Sequence, residues 1–113
     1  FHDGQPLTAH DVAYTYESIL DPALNAPIRN TLEVIDKINV LDSFQVKFKL
    51  KRIHAPFLSD IQVGIVPAHI AESETIDLKQ QPVGSGPFKF VEWKADSYIE
   101  LERNDNYWKE SPR

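Results

Sequence analysis

A strict alternation of apolar and polar residues constrains the fold of this chain more than any other feature. Over residues 44–51, four apolar side chains alternate with a glutamine and three lysines, in the order Phe44, Gln45, Val46, Lys47, Phe48, Lys49, Leu50 and Lys51. A period of two residues is that of a β-strand with one buried face. A second alternation over residues 37–40, followed by Leu41-Asp42-Ser43, predicts the other strand of a β-hairpin. We interpret the lysines as a solvated outer face rather than as a binding stripe.

An apolar stripe with the helical period precedes this hairpin. Thr8 is a favourable N-cap, and Asp11 follows three residues later, as in a capping box. The apolar positions are spaced three and four residues apart: Ala9, Val12, Ala13, Tyr16, Ile19 and Leu20. Asp21-Pro22 ends the helix, because a residue that precedes proline disfavours the helical region. Residues 22–33 show no such period and are predicted to form a loop.

The second half of the chain is predicted to contain two short helices and another hairpin. The helices begin near Pro56 and Pro67, because proline suits the first turn of a helix. Residues 73–82 are polar and predict a loop. Strands cover residues 88–93 and 98–103, and a turn over residues 103–108 closes the chain. The expected class is therefore α+β, with a mixed or antiparallel sheet built of β-hairpins and a few short helices.

The composition excludes several classes of function. The chain has 113 residues, a length that suits one domain, and 12 basic against 17 acidic side chains give a net charge of −5. Nucleic acid binding needs a basic surface, so no nucleic acid partner is expected. Cysteine is absent, which excludes disulfides and thiolate catalysis. No window holds the roughly 18 continuous apolar residues of a membrane-spanning helix. Because the sequence starts at Phe1 and has no methionine, we expect a piece of a longer chain, with any targeting signal upstream.

No group of residues carries an enzyme or metal signature. The four histidines share no ligand spacing and are interpreted as surface or partly buried side chains: His2, His10, His54 and His69. Asp3 and Asp11 are interpreted as turn and capping residues rather than as an acid–base pair. Trp93, Tyr107 and Trp108 could stack on a ligand, but packing in a core or between lobes is the preferred interpretation.

The segment Gly84-Ser85-Gly86 matches two catalytic motifs only in part. A phosphate loop needs a third glycine and a following helix, whereas Lys89 and a predicted strand occupy those places. A nucleophile elbow needs one residue between the serine and each glycine, and here the glycines flank Ser85 directly. We interpret the segment as a backbone bend in which the glycines permit positive φ and Pro87 sets the exit into the strand.

Three segments together resemble the signature of a known family. They are Phe1-His2-Asp3-Gly4-Gln5-Pro6-Leu7-Thr8-Ala9-His10-Asp11-Val12-Ala13-Tyr14-Thr15, Pro82-Val83-Gly84-Ser85-Gly86-Pro87-Phe88-Lys89-Phe90 and Arg103-Asn104-Asp105-Asn106-Tyr107-Trp108. They resemble the F-x-D-G-x-P-[LF]-T-A-x-D-V-x-[FY]-[ST], P-x-G-T-G-P-[FY]-x-[FL] and R-N-x-x-Y-W segments of bacterial extracytoplasmic solute-binding proteins of the peptide/nickel class. Ser85 stands where that family usually has threonine. Asp96 stands where it often has the glycine of a hairpin turn, and aspartate tolerates the left-handed conformation that such a turn needs.

The resemblance implies a fold and a function. Members fold as two lobes joined by a hinge, with an extra small domain of the periplasmic binding protein type II-like class, and close around a ligand. Residues 1–113 would form the extra domain and the connecting strands of lobe I. The implied function is that of the substrate-binding component of an ABC importer, which delivers a peptide or similar small solute to the membrane subunits without cofactor or catalysis. The implied location is periplasmic or lipid-anchored at the cell surface.

The resemblance also implies candidates for ligand contact. In peptide-binding relatives, the segment that follows the end of the first helix approaches the ligand. The candidates come from that segment and from the bend at Gly84 and Ser85. The six candidates are Pro27, Ile28, Arg29, Asn30, Gly84 and Ser85. Ile28 stands where an oligopeptide-binding relative carries a contacting tyrosine, and isoleucine offers neither ring nor hydroxyl. Two alternative functions stay open: a serine-dependent hydrolase or acyl-transfer domain that uses Ser85, and the sensor lobe of a transcription regulator.

Overall fold

A computed structural model describes residues 1–23, 26–73, 78 and 80–113. Its elements, in chain order, are α1 (Ala9–Leu20), α2 (Arg29–Leu32), β1 (Ile35–Asp42), β2 (Gln45–Leu50), α3 (Phe57–Asp60), α4 (Ala68–Ser73), β3 (Phe88–Lys94) and β4 (Tyr98–Arg103). The chain divides into two compact units. Unit 1 contains Phe1–Leu7 and Val66–Arg113, and unit 2 contains Thr8–Ile65. In the described residues, no helix is both long enough and apolar enough to cross a membrane.

Helix α1 of unit 2 begins and ends where the sequence predicts. Thr8 and Asp11 form a capping box, and the Thr8 amide donates to Asp11 Oδ2 at 2.9 Å. Within the predicted apolar stripe, four side chains are buried and two are half-buried. Thr15 is buried as well, and its hydroxyl is satisfied because it donates to the Asp11 carbonyl one turn earlier at 2.8 Å. The helix therefore presents a broader buried face than its apolar residues alone predict.

The hairpin of unit 2 is confirmed, but its turn lies at Ser43 and Phe44, because Leu41 and Asp42 of the predicted turn belong to β1. Strands β1 and β2 pair antiparallel, with Ile38 opposite Phe48 and Val40 opposite Val46. The alternation predicts Phe44 as the first inward residue of the second strand. Instead it lies in the turn with its side chain 79% exposed, and its amide donates to Asp42 Oδ1 at 2.8 Å. This local hydrogen bond to an aspartate carboxylate is typical of turns and outweighs the β-preference of an aromatic residue.

The predicted loop over residues 22–33 is wrong in its last part, because Arg29–Leu32 forms the single turn of α2. Leu32 is fully buried in the core of unit 2, together with Tyr16, Ile19 and Ile35. This tertiary packing supports a turn for which the local sequence shows no helical period. Residues 24 and 25 lie outside the described residues.

Aromatic side chains extend the core of unit 2. The rings of Tyr16 and Phe48 meet edge to face with centroids 5.1 Å apart, and Phe48 meets Phe57 in the same way at 5.8 Å. The Tyr16 hydroxyl donates to the Ile61 carbonyl, which satisfies the one polar atom of this cluster's tyrosine. Burial raises the pKa of Tyr16 above its ordinary value. The core thus connects helix α1, hairpin β1–β2 and the α3 region.

The short helices and the second hairpin also follow the predictions. Pro56 and Pro67 directly precede α3 and α4, and β3 pairs antiparallel with β4. The β3–β4 turn places Asp96 at φ 61°, in the left-handed region that aspartate tolerates. The described sheets are therefore two separate antiparallel hairpins, as the α+β prediction allows. Of the polar loop predicted over residues 73–82, residues 74–77 and 79 lie outside the described residues, and Ser73 ends α4.

Candidate functional site

The start of the first segment, Phe1–Leu7, meets the other two segments singled out in the sequence within unit 1. The N-terminal segment around His2, the bend around Gly86 and the turn around Asn104 are joined by hydrogen bonds. His2 and Gly84 are 82 residues apart in the chain, and Asn104 lies 18 residues beyond Gly86. The motifs therefore mark one structural junction.

His2 is the central side chain of this junction. Its backbone amide donates to the Gly84 carbonyl at 2.8 Å, and the Gly84 amide donates back to His2 Nδ1 at 3.3 Å. The other ring nitrogen, Nε2, lies 3.0 Å from the Gly86 carbonyl oxygen. Because Nδ1 accepts a hydrogen bond and a carbonyl can only accept, Nε2 must carry the proton. The geometry therefore selects the neutral imidazole with hydrogen on Nε2.

Asn104 holds the other side of the same bend. Its side chain is buried, with the residue only 5% exposed, and its Nδ2 donates to the Gly86 carbonyl at 3.1 Å. Its backbone amide donates to the Pro87 carbonyl at 2.8 Å, and its Oδ1 accepts the Asn106 amide at 3.0 Å. The Gly86 carbonyl thus accepts hydrogen bonds from both His2 and Asn104, and these two bonds fix the orientation of the bend.

A second contact ties the N-terminal segment to α4. His69 Nε2 lies 2.6 Å from Asp3 Oδ2, and the Gln5 amide donates to Asp3 Oδ1 at 3.1 Å. Partial burial acts to raise the pKa of the Asp3 carboxyl, but the hydrogen bonds from His69 and Gln5, together with the charge interactions with His69 and the N-terminus, outweigh it, so this pKa lies below its ordinary value. Asp3 is therefore a charged hydrogen-bond acceptor within unit 1. The predicted turn role of Asp3 is confirmed, and Asp11 caps α1 in unit 2 instead of pairing with it.

The glycines of the bend do not adopt the conformation that the sequence interpretation assigned to them. In the described residues, the positive φ values belong to Gly4, at 87°, and to Asp96. A Cβ atom at Gly84 would lie 3.8 Å from the His2 ring, an ordinary van der Waals distance. The interpretation that Gly84 and Gly86 permit positive φ is therefore wrong. The bend is held by hydrogen bonds from His2 and Asn104 rather than by left-handed backbone.

The structure places the six contact candidates in both units. Pro27, Ile28, Arg29 and Asn30 lie at the start of α2 in unit 2, whereas Gly84 and Ser85 lie in the bend of unit 1. Ile28 is the N-cap residue of α2, and its side chain is 41% exposed. Arg29 Nη2 lies 3.6 Å from Glu33 Oε1, one helical turn later. Each group is thus presented on a surface of its own unit.

Comparisons with known proteins identify the family of this chain. The sequence model of the "Bacterial extracellular solute-binding proteins, family 5 Middle" matches residues 1–113. The chain belongs to this family. It is 38% identical over 121 residues to the oligopeptide-binding protein AppA of Bacillus subtilis (strain 168), covering 99% of this chain and 22% of that relative.

Solved structures of family 5 proteins share the fold. NikZ from Campylobacter jejuni, in complex with Ni(L-His), superposes with a TM-score of 0.90 at 32% identity over 97% of this chain and 23% of NikZ. AppA from Bacillus subtilis, in complex with a nonapeptide, gives 0.83 at 37% identity over 94% of this chain and 23% of AppA. The expected periplasmic binding protein type II-like class is confirmed. The chain spans less than a quarter of the length of each of these two relatives.

The alternative of a serine hydrolase requires a general base beside Ser85, in the junction of His2, Gly86 and Asn104. His2, the histidine that contacts the bend, uses both ring nitrogens on backbone groups of Gly84 and Gly86. Among the residues that the structure describes, no hydrogen bond joins the Ser85 hydroxyl to a histidine. A general base must reach the hydroxyl that it activates, so this arrangement does not support nucleophilic catalysis. Nor does any comparison support a transcription regulator.

The two tryptophans of unit 1 are exposed in the described residues, whereas Tyr107 is half-buried. Trp93 is 51% exposed and Trp108 is 69% exposed. Trp108 meets Tyr107 edge to face at 5.6 Å and has the Lys109 ammonium 4.6 Å from its ring centroid. Core packing is therefore not how this chain uses the two tryptophans, and their packing between lobes stays a prediction.

Sequence reasoning missed the two residues that organise the junction. The sequence indicates only an ordinary surface or partly buried histidine at His2 and a closing turn around Asn104. Both lie inside the segments that resemble the family signature, and this co-occurrence was the signal available in the sequence. Their partners, however, are backbone groups distant in the chain, which no local pattern identifies.

Proposed function

We propose that residues 1–113 belong to the substrate-binding component of an ABC importer and supply its extra small domain with the connecting strands of lobe I. The family match over residues 1–113 is the observation that carries this proposal. The coverage supports it as well, since this chain corresponds to 23% of NikZ and of AppA. Named family members are solute-binding proteins, which favours reversible binding without catalysis or cofactor.

The proposed ligand is a peptide or a similar small solute held between two lobes. Solved relatives contain a nonapeptide in AppA and Ni(L-His) in NikZ, so the family accommodates ligands rich in main-chain or carboxylate groups. Binding of this kind depends on hydrogen bonds and apolar pockets that close around the ligand. The junction of His2, Gly86 and Asn104 suits such a role, because it makes a rigid backbone wall from residues far apart in sequence.

In this proposal, Pro27, Ile28, Arg29 and Asn30 form one ligand-contacting segment. Exposed backbone and side chains at the start of α2 support the assignment, as does the partly exposed Arg29 guanidinium. Arg29 can donate to a ligand carboxylate, whereas Ile28 offers only apolar surface. The pairing of Arg29 with Glu33 limits how far the guanidinium reaches.

The bend contributes in two different ways. Both backbone polar groups of Gly84 are already bonded to His2, so Gly84 acts by positioning its neighbours. Ser85 is half-buried, and no hydrogen bond to its hydroxyl occurs among the described residues. A ligand contact from this bend therefore comes from the Ser85 side chain.

The proposed partners are the solute and the membrane subunits of the importer. The proposed location is extracytoplasmic, in the periplasm or lipid-anchored at the cell surface. Family membership supports this location, since the matched family consists of extracellular solute-binding proteins.

The test measures solute binding by the full-length protein with calorimetry. Any ligand already bound is first removed by partial unfolding and refolding. The panel consists of a library of peptides two to nine residues long and Ni(L-His). We expect saturable binding of at least one member of the panel. Arg29→Ala and Asn30→Ala should each weaken that binding by at least about fivefold, as loss of a hydrogen bond to a charged group does. The matched control is Arg52→Ala, an exposed arginine of unit 2 outside the proposed segment.

The outcomes separate the function from the site. A full-length protein that binds nothing in the panel would overturn the proposed function. A protein that binds normally while both variants equal the wild type would overturn only the assignment of the α2 segment. Deletion of the gene should also reduce uptake of the same solute by cells, and unchanged uptake would contradict the link to an importer.

A further inference from the structure

The outer face of hairpin β1–β2 concentrates positive charge in an acidic chain. Lys37 lies directly opposite Lys49, and Lys47 lies opposite Asn39 on the same face. Lys51 continues the alternation beyond β2, where its amide donates to the Val34 carbonyl at 2.8 Å. We call Lys37, Lys47, Lys49 and Lys51 the lysine face. All four side chains are exposed, whereas the opposite side of the hairpin packs on the core of unit 2.

The chain does not neutralise this face. Like charges directly opposite each other on a sheet are destabilising. In the part of the chain that the structure describes, none of the four lysines takes part in an ion pair. Yet the net charge of the whole chain is −5, so acidic side chains are plentiful elsewhere. Asp36 adjoins Lys37 in β1, yet no ion pair forms among the described residues of this hairpin, so the opposing lysine pair fits a counter-charge supplied from outside the chain.

The tip of the same hairpin adds exposed apolar groups. Phe44 is 79% exposed, and Leu41, which follows Lys37 and Asn39 in the alternation of β1, is 61% exposed. The Asp42 carboxylate holds the turn through the Phe44 amide, so the ring projects from a defined loop. Basic residues next to exposed aromatic and aliphatic side chains are the composition of surfaces that bind membrane interfaces.

We propose that hairpin β1–β2 binds the headgroup surface of an anionic lipid membrane, with the lysine face toward the phosphates and Phe44 at the apolar boundary. The face consists of lysines and contains no arginine. Lysine is a compact point charge, whereas arginine is the residue suited to bidentate recognition of an individual carboxylate or phosphate. A row of point charges about 7 Å apart along β2 fits a continuous anionic surface better than one specific partner site. This interaction goes beyond solute binding, which does not require it.

The test is binding of full-length protein, prepared without lipid modification, to vesicles. Vesicles of phosphatidylglycerol and phosphatidylcholine in equal parts are compared with vesicles of phosphatidylcholine alone. We expect binding to the anionic vesicles that weakens as salt increases, because salt screens exposed charges. Replacing both Lys47 and Lys49 by glutamine should weaken it roughly 25-fold, since each lysine near such a surface contributes about fivefold.

The matched control removes the same charge elsewhere. Lys94→Gln together with Lys109→Gln replaces two exposed lysines of unit 1 and should leave vesicle binding within about twofold of wild type, because they lie outside the lysine face. Phe44→Ser should lower the binding that persists at high salt. All of these variants should bind solute as the wild type does, which keeps this test separate from that of the proposed function.

Three results would overturn the proposal. One is equal binding to neutral and anionic vesicles. Another is an equal loss of binding in the two double variants, which would show that only net charge matters. The third is absence of binding to the anionic vesicles; salt-dependent binding to polyglutamate in that case would assign the lysine face to an acidic protein surface instead.

Discussion

His2 and Gly84 are joined by two hydrogen bonds of opposite direction, one from the His2 amide to the Gly84 carbonyl and one from the Gly84 amide to His2 Nδ1. The ring then reaches the Gly86 carbonyl through Nε2. One side chain therefore attaches the N-terminal segment to both glycines of the bend. This arrangement requires a neutral imidazole, since protonation of Nδ1 would turn its acceptor into a donor facing the Gly84 amide.

The first prediction concerns the tautomer of His2. Ring nitrogen chemical shifts measured by NMR at neutral pH should show hydrogen on Nε2 and an unprotonated Nδ1. His2→Ala should lower the free energy of unfolding by about 1–3 kcal/mol, because the partly buried Gly84 amide loses its partner and the Gly86 carbonyl loses one of its two donors. A spectrum with hydrogen on Nδ1 would contradict the described geometry.

The second prediction concerns Asn104. Asn104→Ala removes a buried amide that bonds the Gly86 carbonyl and the Asn106 amide, so it should lower the free energy of unfolding by about 2–3 kcal/mol. Chemical denaturation of the full-length protein measures this change. The control is Asn106→Ala in the same turn, where the side chain is exposed, and its effect should stay within about 0.5 kcal/mol. Equal effects of the two substitutions would refute the bridging role of Asn104.

The third prediction concerns acid stability. The folded pKa of Asp3 is lowered, so its carboxylate stabilises the fold above the unfolded pKa of about 3.9, and this stabilisation is lost as pH falls through the folded pKa. Asp3→Asn should therefore be less stable than wild type near neutral pH, with the difference disappearing in acid. Denaturation curves recorded across this range measure the effect.

The partner of Asp3 provides the control for this test. His69→Gln should diminish the pH-dependent part of the Asp3 effect, because the His69 hydrogen bond is the largest of the interactions that lower this pKa. A difference between wild type and Asp3→Asn that grows as the pH falls would show that the sign is wrong.

The fourth prediction concerns the turn of hairpin β3–β4. Asp96 has φ 61°, and glycine adopts this region without the steric cost of a Cβ atom. Asp96→Gly should therefore raise the free energy of unfolding by up to about 1 kcal/mol, while Asp96→Ala should lower it by a similar amount. Thermal and chemical denaturation of the two variants measure the order. The opposite order would mean that the aspartate side chain stabilises this turn more than its backbone strain costs.

Local pattern was sufficient for most of the secondary structure. The period of α1 with its Thr8 cap and the alternation in β2 both depend on neighbours within a few residues. Such neighbours determine which backbone conformation a segment prefers and which of its faces is apolar. For the same reason, family resemblance could be recognised from three short segments.

Tertiary structure decided the features that depend on distant residues. Arg29–Leu32 is helical because Leu32 packs against α1. Phe44 lies in the turn and not in β2, because its amide donates to the Asp42 carboxylate. The role of His2 appears only when Gly84, 82 residues away, supplies an amide and a carbonyl. Sequence periodicity encodes the preference of a segment, but a buried polar group is satisfied by whichever donor or acceptor the folded chain places beside it, and that placement exists only in three dimensions.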